Sequence, residues 1–107
     1  MIALMSLFFV GCSGGESDFT GYVLDVDQER NRLLVVSGIS KEEILEIQTV
    51  DFAVLDRLEE AYWVSGKNPG NIKKGDYIEV WFRGDIATSF PAQAEAKRIV
   101  TLERNQQ

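Results

Sequence analysis

The chain has 107 residues, of which 45% are hydrophobic, and its 17 acidic and 11 basic residues give a formal net charge of -6. This length is enough for one domain and too short for two, and the apolar content argues against global disorder. Carboxylates repel the phosphates of nucleic acids and anionic lipids, so the charge predicts no nucleic-acid partner and no polybasic attachment to a membrane.

The N-terminal segment has a different composition from the rest of the chain, because residues 1–13 carry no charge. The apolar run over 1–10 is shorter than the roughly 20 residues of a membrane-spanning helix but is typical of the apolar region of a signal peptide. The end of this run and the two residues after it, Phe9-Val-Gly-Cys12, have the form of a bacterial lipobox. In a lipobox a small residue precedes the cleavage site and the cysteine thiol takes a diacylglycerol.

We therefore predict a signal peptide over 1–11, a lipidated Cys12 with a glycine-rich linker over 12–18, and a single domain over 19–104. Signal peptides usually open with Lys or Arg, so we expect the natural signal to begin further upstream. The predicted location is extracytoplasmic, on the outer face of the cell membrane. The alternative is that Cys12 is a small apolar residue of a core strand, which the polar linker after it disfavours.

The first half of the predicted domain contains a hairpin and one helix. Phe19 to Asp27 alternates with period two, placing Tyr22, Leu24 and Val26 on one face, and Arg32 to Ser37 is an apolar strand beyond a polar turn. A capping-box pattern begins at Ser40. The apolar positions between residues 50 and 62 then have helical spacing, which predicts one helix over roughly 51–60.

The second half contains three further predicted strands, over 61–65, 77–83 and 94–103, with a ten-residue connection from Gly84 to Gln93 before the last. Five strands suit a small barrel, which removes exposed sheet edges. The sequence thus predicts a mainly β (α+β) fold: a partly open, five-stranded OB-like barrel with one helix inserted between strands 2 and 3.

Five segments of the chain occur in an order that is typical of one protein family. They are Tyr22-Val-Leu-Asp-Val-Asp27, Arg32-Leu-Leu-Val-Val36, Trp63-Val-Ser65, Gly75-Asp-Tyr-Ile-Glu-Val-Trp81 and Ser89-Phe-Pro-Ala-Gln-Ala94. With these segments the chain resembles the YobA-like family of small lipoproteins from Gram-positive bacilli, whose domain is classed only as one of unknown function. The resemblance covers residues 21–102 and implies an exported lipoprotein with a compact, mostly β domain, but it implies no catalytic residue.

The chain contains few of the residue types that form common enzyme active sites. Without histidine and with its one cysteine acylated, neither a Ser-His or Cys-His triad nor a Cys/His zinc site is available. Asp25, Asp27 and Glu29 present oxygens that suit Ca²⁺, but they lack the spacing of an EF-hand and are better interpreted as a solvated strand face. We predict no catalytic residue, no metal site, no cofactor and no enzymatic activity.

The candidate binding residues are aromatic or lie in the long connection: Trp63, Trp81, Phe90, Pro91 and Gln93. OB barrels often stack bases or sugars on strand aromatics, whereas core packing is the alternative for both tryptophans. Phe90 either plugs the end of the barrel or forms part of a recognition loop. The aromatic residue before Pro91 favours a cis bond somewhat more than most residues do, whereas a trans turn is the alternative that we favour.

Two functions follow from these residues. The first is a non-catalytic binding or interaction module at the cell surface, recognising an envelope protein, a peptide or a wall component. The alternative is a regulatory or inhibitory lipoprotein that acts on an envelope enzyme.

Overall fold

The structure is a computed structural model that describes residues 16–66 and 71–105. The predicted signal peptide and Cys12 lie outside these residues. Five strands and two short helices are described, in the order ββααβββ. They are β1 (Phe19–Asp27), β2 (Arg32–Ser37), α1 (Lys41–Glu46), α2 (Phe52–Leu55), β3 (Glu60–Ser65), β4 (Tyr77–Ala87) and β5 (Ala92–Glu103).

The strands form a closed barrel in the order β1-β2-β3-β5-β4, in which β3 and β5 are parallel and the other pairs are antiparallel. The mainly β, OB-like prediction is confirmed, but the expectation of a partly open barrel is wrong. Strand β4 pairs with β1 from Phe19↔Val80 to Tyr22↔Tyr77 and so closes the sheet on itself.

The barrel interior holds one of two hydrophobic clusters. At one end of it the Tyr62 ring lies between two other aromatic rings, 4.7 Å from Phe19 and 5.1 Å from Phe82 between centroids. Such tilted aromatic pairs add to the apolar burial. The buried members of the interior cluster are Phe19, Val23, Leu33, Val35, Val64, Ile78, Val80 and Ala96.

A β-bulge in β1 changes which side chains share a face. The pairing with β2 shifts register between Val23 and Asp25, which leaves Leu24 as the extra residue. Val23 and Val26 therefore both face the interior, while Tyr22 and Leu24 pack on the outside. The prediction that Tyr22, Leu24 and Val26 share one face is wrong, because strict alternation does not continue through a bulge.

The predicted single helix is replaced by two short ones. Helix α1 begins at the Ser40 capping box, and α2 begins after Asp51, whose side chain accepts the Val54 amide. Helix α2 ends at Leu55 rather than near residue 60. Three residues beyond its C-cap Asp56, the Glu59 amide donates to the Ser37 carbonyl oxygen at 2.8 Å, which ties the chain to β2 directly before β3 begins.

Both helices pack on the outer face of β2 and β3, where they form the second hydrophobic cluster. Its buried members are Leu24, Leu34, Val36, Ile44, Ile47, Val54, Leu58 and Ala61. A small barrel therefore supports a second layer of apolar packing on one side. In the part of the chain that the structure describes, no helix is long and apolar enough to cross a membrane.

The hairpin of β4 and β5 is longer than the sequence predicts. Arg83 pairs with Glu95 and Ala87 with Gln93, so β4 extends four residues into the predicted loop and β5 begins two residues before the predicted start. An irregularity separates these two pairs and includes Gly84, whose φ of +71° favours glycine. The connection between the strands shrinks to residues 88–91.

A buried carboxylate joins the start of β4 to the end of the chain. Asp76 has no exposed surface, and its side chain accepts the Lys73 amide at 3.1 Å and the Asn105 amide at 2.6 Å. Its neighbour Gly75 has a φ of +94°, and a Cβ there would lie 2.8 Å from the Asn105 side chain. The turn before β4 therefore leaves space for the Asn105 side chain and supplies an acceptor for its amide.

A candidate binding groove between α2 and the β4–β5 turn

The outer face of β2 and β3 is the surface on which OB barrels commonly bind oligonucleotides or oligosaccharides. In this protein the two helices cover that face. Trp63 packs against their cluster, and the Arg32 guanidinium lies 4.0 Å from the centroid of its ring. These contacts favour a packing role for Trp63 over a ligand-stacking role.

Trp81 is also enclosed. Only 8% of it is exposed, and the Arg98 guanidinium lies 4.6 Å from its ring centroid, in a cation–π arrangement. Its indole Nε1 is buried and has no hydrogen-bond partner among the described residues. A ring in this position does not offer a face for stacking, so the packing interpretation is favoured for Trp81 too.

The turn between β4 and β5 presents Phe90 to solvent. The ring is 53% exposed and belongs to neither hydrophobic cluster, so the expectation that it plugs the barrel is wrong. The end of the interior is filled instead by the rings around Tyr62. The Phe90–Pro91 bond is cis, contrary to the trans expectation. The Ser89 hydroxyl donates to the Pro91 carbonyl oxygen at 2.8 Å within the turn.

Gln93 lies just beyond this turn, on the first residues of β5. It is exposed and is paired with Trp63 on one side and Ala87 on the other. Its backbone is therefore fixed by two neighbouring strands. The structure brings Phe90, Pro91 and Gln93 together at one end of the barrel, and places Trp81 elsewhere on β4.

An open groove lies between α2 and the turn. It has a volume of about 500 Å³ and is lined by Phe52, Ala53, Leu55, Asp56 and Phe90. Phe52 is 89% exposed, which is unusual for so large an apolar side chain. We call this surface, together with the two smaller depressions that adjoin it, the Phe52–Phe90 groove.

The two adjoining depressions extend the groove in both directions. One, of about 250 Å³, shares Phe52 and Leu55 and continues to Val50 and Asp51. The other, of about 180 Å³, shares Phe90 and continues along the beginning of β3 to Ala92. The middle depression thus shares lining residues with each of the other two, which share none with one another.

The walls of the groove are acidic. Asp51, Asp56, Glu59 and Glu60 are exposed and line its three parts. Burial, the negative charge of Glu60 and a hydrogen bond to its carboxylate raise the pKa of Tyr62, which lies beside one depression. Tyr62 therefore stays a neutral phenol near pH 7.

Sequence reasoning missed Phe52 as a surface residue, because it placed Phe52 on the buried face of a longer helix, whereas Leu55 is partly buried against the second hydrophobic cluster as well as lining the groove. A local signal was present in Asp51, a good N-cap residue, which makes Phe52 the first residue of the helix. In a helix of four residues the buried position is taken by Val54.

The groove offers contacts rather than an evident reaction centre. Among residues 16–66 and 71–105, no three His, Cys, Asp or Glu side chains converge in a way that would hold a metal ion. What the groove does present is a pair of exposed aromatic rings on a rigid scaffold, bordered by carboxylates.

These features define a small, closed OB-like barrel whose usual ligand face is covered and whose exposed apolar groove lies at one end. The chain belongs to the DUF3221 family, proteins of unknown function, which matches residues 20–103. The sequence-based resemblance is thereby confirmed.

A solved structure has the same fold. The NMR solution structure of Bacillus subtilis YobA, residues 21–120, is similar with a TM-score of 0.56, 18% sequence identity, and coverage of 92% of this chain and 94% of that one. At this identity the similarity shows the fold alone. Comparison with curated proteins gives no significant match.

Proposed function

We propose that this chain is an exported lipoprotein, held at the outer face of the cell membrane through Cys12, whose barrel is a non-catalytic interaction module. The lipobox ending at Cys12 and the glycine-rich residues after it support the anchor. A diacylglycerol supplies the two acyl chains that stable anchoring needs.

The observation that carries the binding role is the exposure of Phe52 and Phe90 on the two sides of one groove. Single exposed apolar residues are ordinary, whereas neighbouring ones in a concave surface mark interaction sites. A flat apolar patch would favour an inhibitor of an envelope enzyme. The concave shape favours a module that receives a protruding segment of its partner.

The anchor is tested with the chain expressed behind a complete signal in a Gram-positive host. We expect the protein to partition into detergent and to begin at a lipid-modified Cys12, whose mass identifies the acyl groups. Cys12→Ser should be released or left unprocessed. A mature wild-type protein with an unmodified Cys12 contradicts this part of the proposal.

The binding role is tested by placing a photoreactive amino acid at position 90 of the anchored protein in intact cells. A matched control carries the same group at Glu29, an exposed residue in the turn between β1 and β2. We expect a discrete cross-linked product from position 90 alone. Equal products from both positions, or none from position 90, would remove the groove as an interaction site.

A further inference from the structure

The chemistry of the Phe52–Phe90 groove points to one class of occupant. We infer that it receives a cationic, apolar peptide segment of a partner protein, an inference that rests on the proposed interaction role. Three features carry it: the shape of the groove, its apolar floor and the sign of the charges along its walls.

The shape favours a chain segment over a compact small molecule. The middle depression, about 500 Å³, continues at Phe52 and Leu55 into one neighbour and at Phe90 into the other. Three depressions that share lining residues in this way suit two or three successive apolar side chains of one segment. Linear motifs are commonly bound in this way, through apolar anchors in a groove.

The apolar floor supplies the anchoring contacts. Phe52, Leu55 and Phe90 present ring and methyl groups, and burying apolar surface contributes roughly 25 cal/mol per Å². Aromatic residues are also frequent hot spots in protein interfaces. Because Phe52 extends from α2 and Phe90 from a turn held by β4 and β5, the partner's apolar side chains would be enclosed from two sides.

The walls select the sign of the partner's charge. The four carboxylates along them, from Asp51 to Glu60, have no lysine or arginine among the described residues lining the same depressions. The nearby Arg57 guanidinium is bonded to Glu43, which offsets its charge. Complementary charges at an interface rim set specificity and association rate more than affinity.

The same carboxylates disfavour other occupants. A phosphate-rich polymer of the cell wall or an anionic lipid would place its negative charge next to these carboxylates. A second copy of this chain would place one acidic rim near another, at a net charge of -6 for each copy. A lysine- or arginine-bearing segment has the complementary sign.

The probe for this inference is a fluorescein-labelled hexapeptide of alternating lysine and phenylalanine, measured by fluorescence anisotropy. The full chain is held in phosphatidylcholine nanodiscs, and empty nanodiscs supply the blank. Two comparison peptides replace every lysine by glutamate, or every phenylalanine by serine. We expect binding of the lysine–phenylalanine peptide and at least tenfold weaker binding of both others.

Paired variants locate the binding. Phe52→Ser with Phe90→Ser should weaken it at least tenfold while leaving the unfolding midpoint nearly unchanged, because both rings are exposed. Asp56→Lys with Glu60→Lys should weaken it about tenfold. The matched control reverses two exposed acids, Asp25→Lys with Glu29→Lys, and should change the affinity less than about twofold.

Both control residues lie away from the groove, because Asp25 is on β1, which β2 separates from β3, and Glu29 is in the β1–β2 turn. Leu33 pairs with Val64, so the β1–β2 turn adjoins the far end of β3. That end lies roughly 17 Å along the strand from Glu60, at about 3.3 Å per residue. A general attraction between a cationic peptide and an acidic protein would affect both pairs of variants alike.

The outcomes separate this inference from the proposed function. If the glutamate peptide binds equally well, or if the Asp56/Glu60 and Asp25/Glu29 double-lysine variants lose the same affinity, the inference of a cationic partner is wrong. The proposed interaction module is not affected by either result. Failure of the lysine–phenylalanine peptide to bind, with a cross-linked product still formed at position 90, overturns the partner class alone. Absence of both peptide binding and product overturns the module as well.

Discussion

Replacing Asp76 tests how this small domain holds its C-terminal residues. The side chain is completely buried at the start of β4. Its two oxygens accept the Lys73 and Asn105 amides, and its backbone carbonyl accepts the Val23 amide. One residue thereby connects the turn before β4, strand β1 and the end of the chain.

The expected cost of Asp76→Ala follows from the two side-chain hydrogen bonds. A hydrogen bond to a charged group contributes about 1.5–3 kcal/mol. The Asn105 amide is in a buried position and should show the full effect, whereas water compensates in part at the exposed Lys73. The free energy of unfolding should therefore fall by roughly 2–4 kcal/mol, a large share of the 5–15 kcal/mol typical of a domain.

The assay is urea unfolding followed by tryptophan fluorescence, with Asp85→Ala as a matched control. Asp85 is an exposed acid on the same strand, and its replacement should change the unfolding free energy by less than about 0.5 kcal/mol. Asp76→Asn keeps one acceptor oxygen and should fall between wild type and Asp76→Ala. If Asp76→Ala is as stable as the control, the carboxylate does not hold these segments together.

Three further substitutions probe the core, the turn and the helical layer. Val80→Ala should lower the unfolding free energy by about 1–3 kcal/mol, because Val80 is fully buried in the barrel interior; an unchanged urea midpoint would contradict that packing. Phe90→Ala should cost less than about 1 kcal/mol in the same assay, since the ring is half exposed, and a loss of several kcal/mol would restore the plug interpretation. Hydrogen bonds from the Ser40 amide and Arg57 lower the pKa of Glu43 below its ordinary 4.5. The ionised carboxylate therefore stabilises the folded state above pH 4.5, and this stabilisation is lost as the pH falls through the lowered pKa of the folded state. Glu43→Gln should therefore reduce the fall in thermal midpoint on acidification below about pH 4.5, and an identical pH profile would refute this role.

The predictable parts of this fold rest on local patterns. The hairpin of β1 and β2 follows from two apolar strands around a polar turn, and α1 begins where the capping box at Ser40 indicates. Strand β4 begins at Tyr77 as expected, directly after the Gly75-Asp76 turn. In each case the residues that determine the structure are within a few positions of one another.

The candidate site was only partly predictable. The Gly84–Gln93 segment was predicted to be a connection that either plugs the barrel or binds a ligand, and the structure leaves Phe90 exposed at the groove. Phe52 on the opposite side was assigned to the core from its helical spacing, although it is exposed, whereas its neighbour Leu55 is partly buried. Spacing shows which residues share a helix face, but it does not show where the helix ends.

The sequence by itself determined the number of strands and the mainly β architecture, because alternation and turn residues act over short distances, and the order of five segments indicated the family by resemblance. Tertiary structure decided what those elements bury. The Glu59 amide bonds to Ser37 and thereby shortens α2, while the bulge at Leu24 reverses the faces of β1. The exposure of Phe52 depends on which other parts of the chain pack against α2. That is decided only when β2 and β3 pair and bring distant segments together.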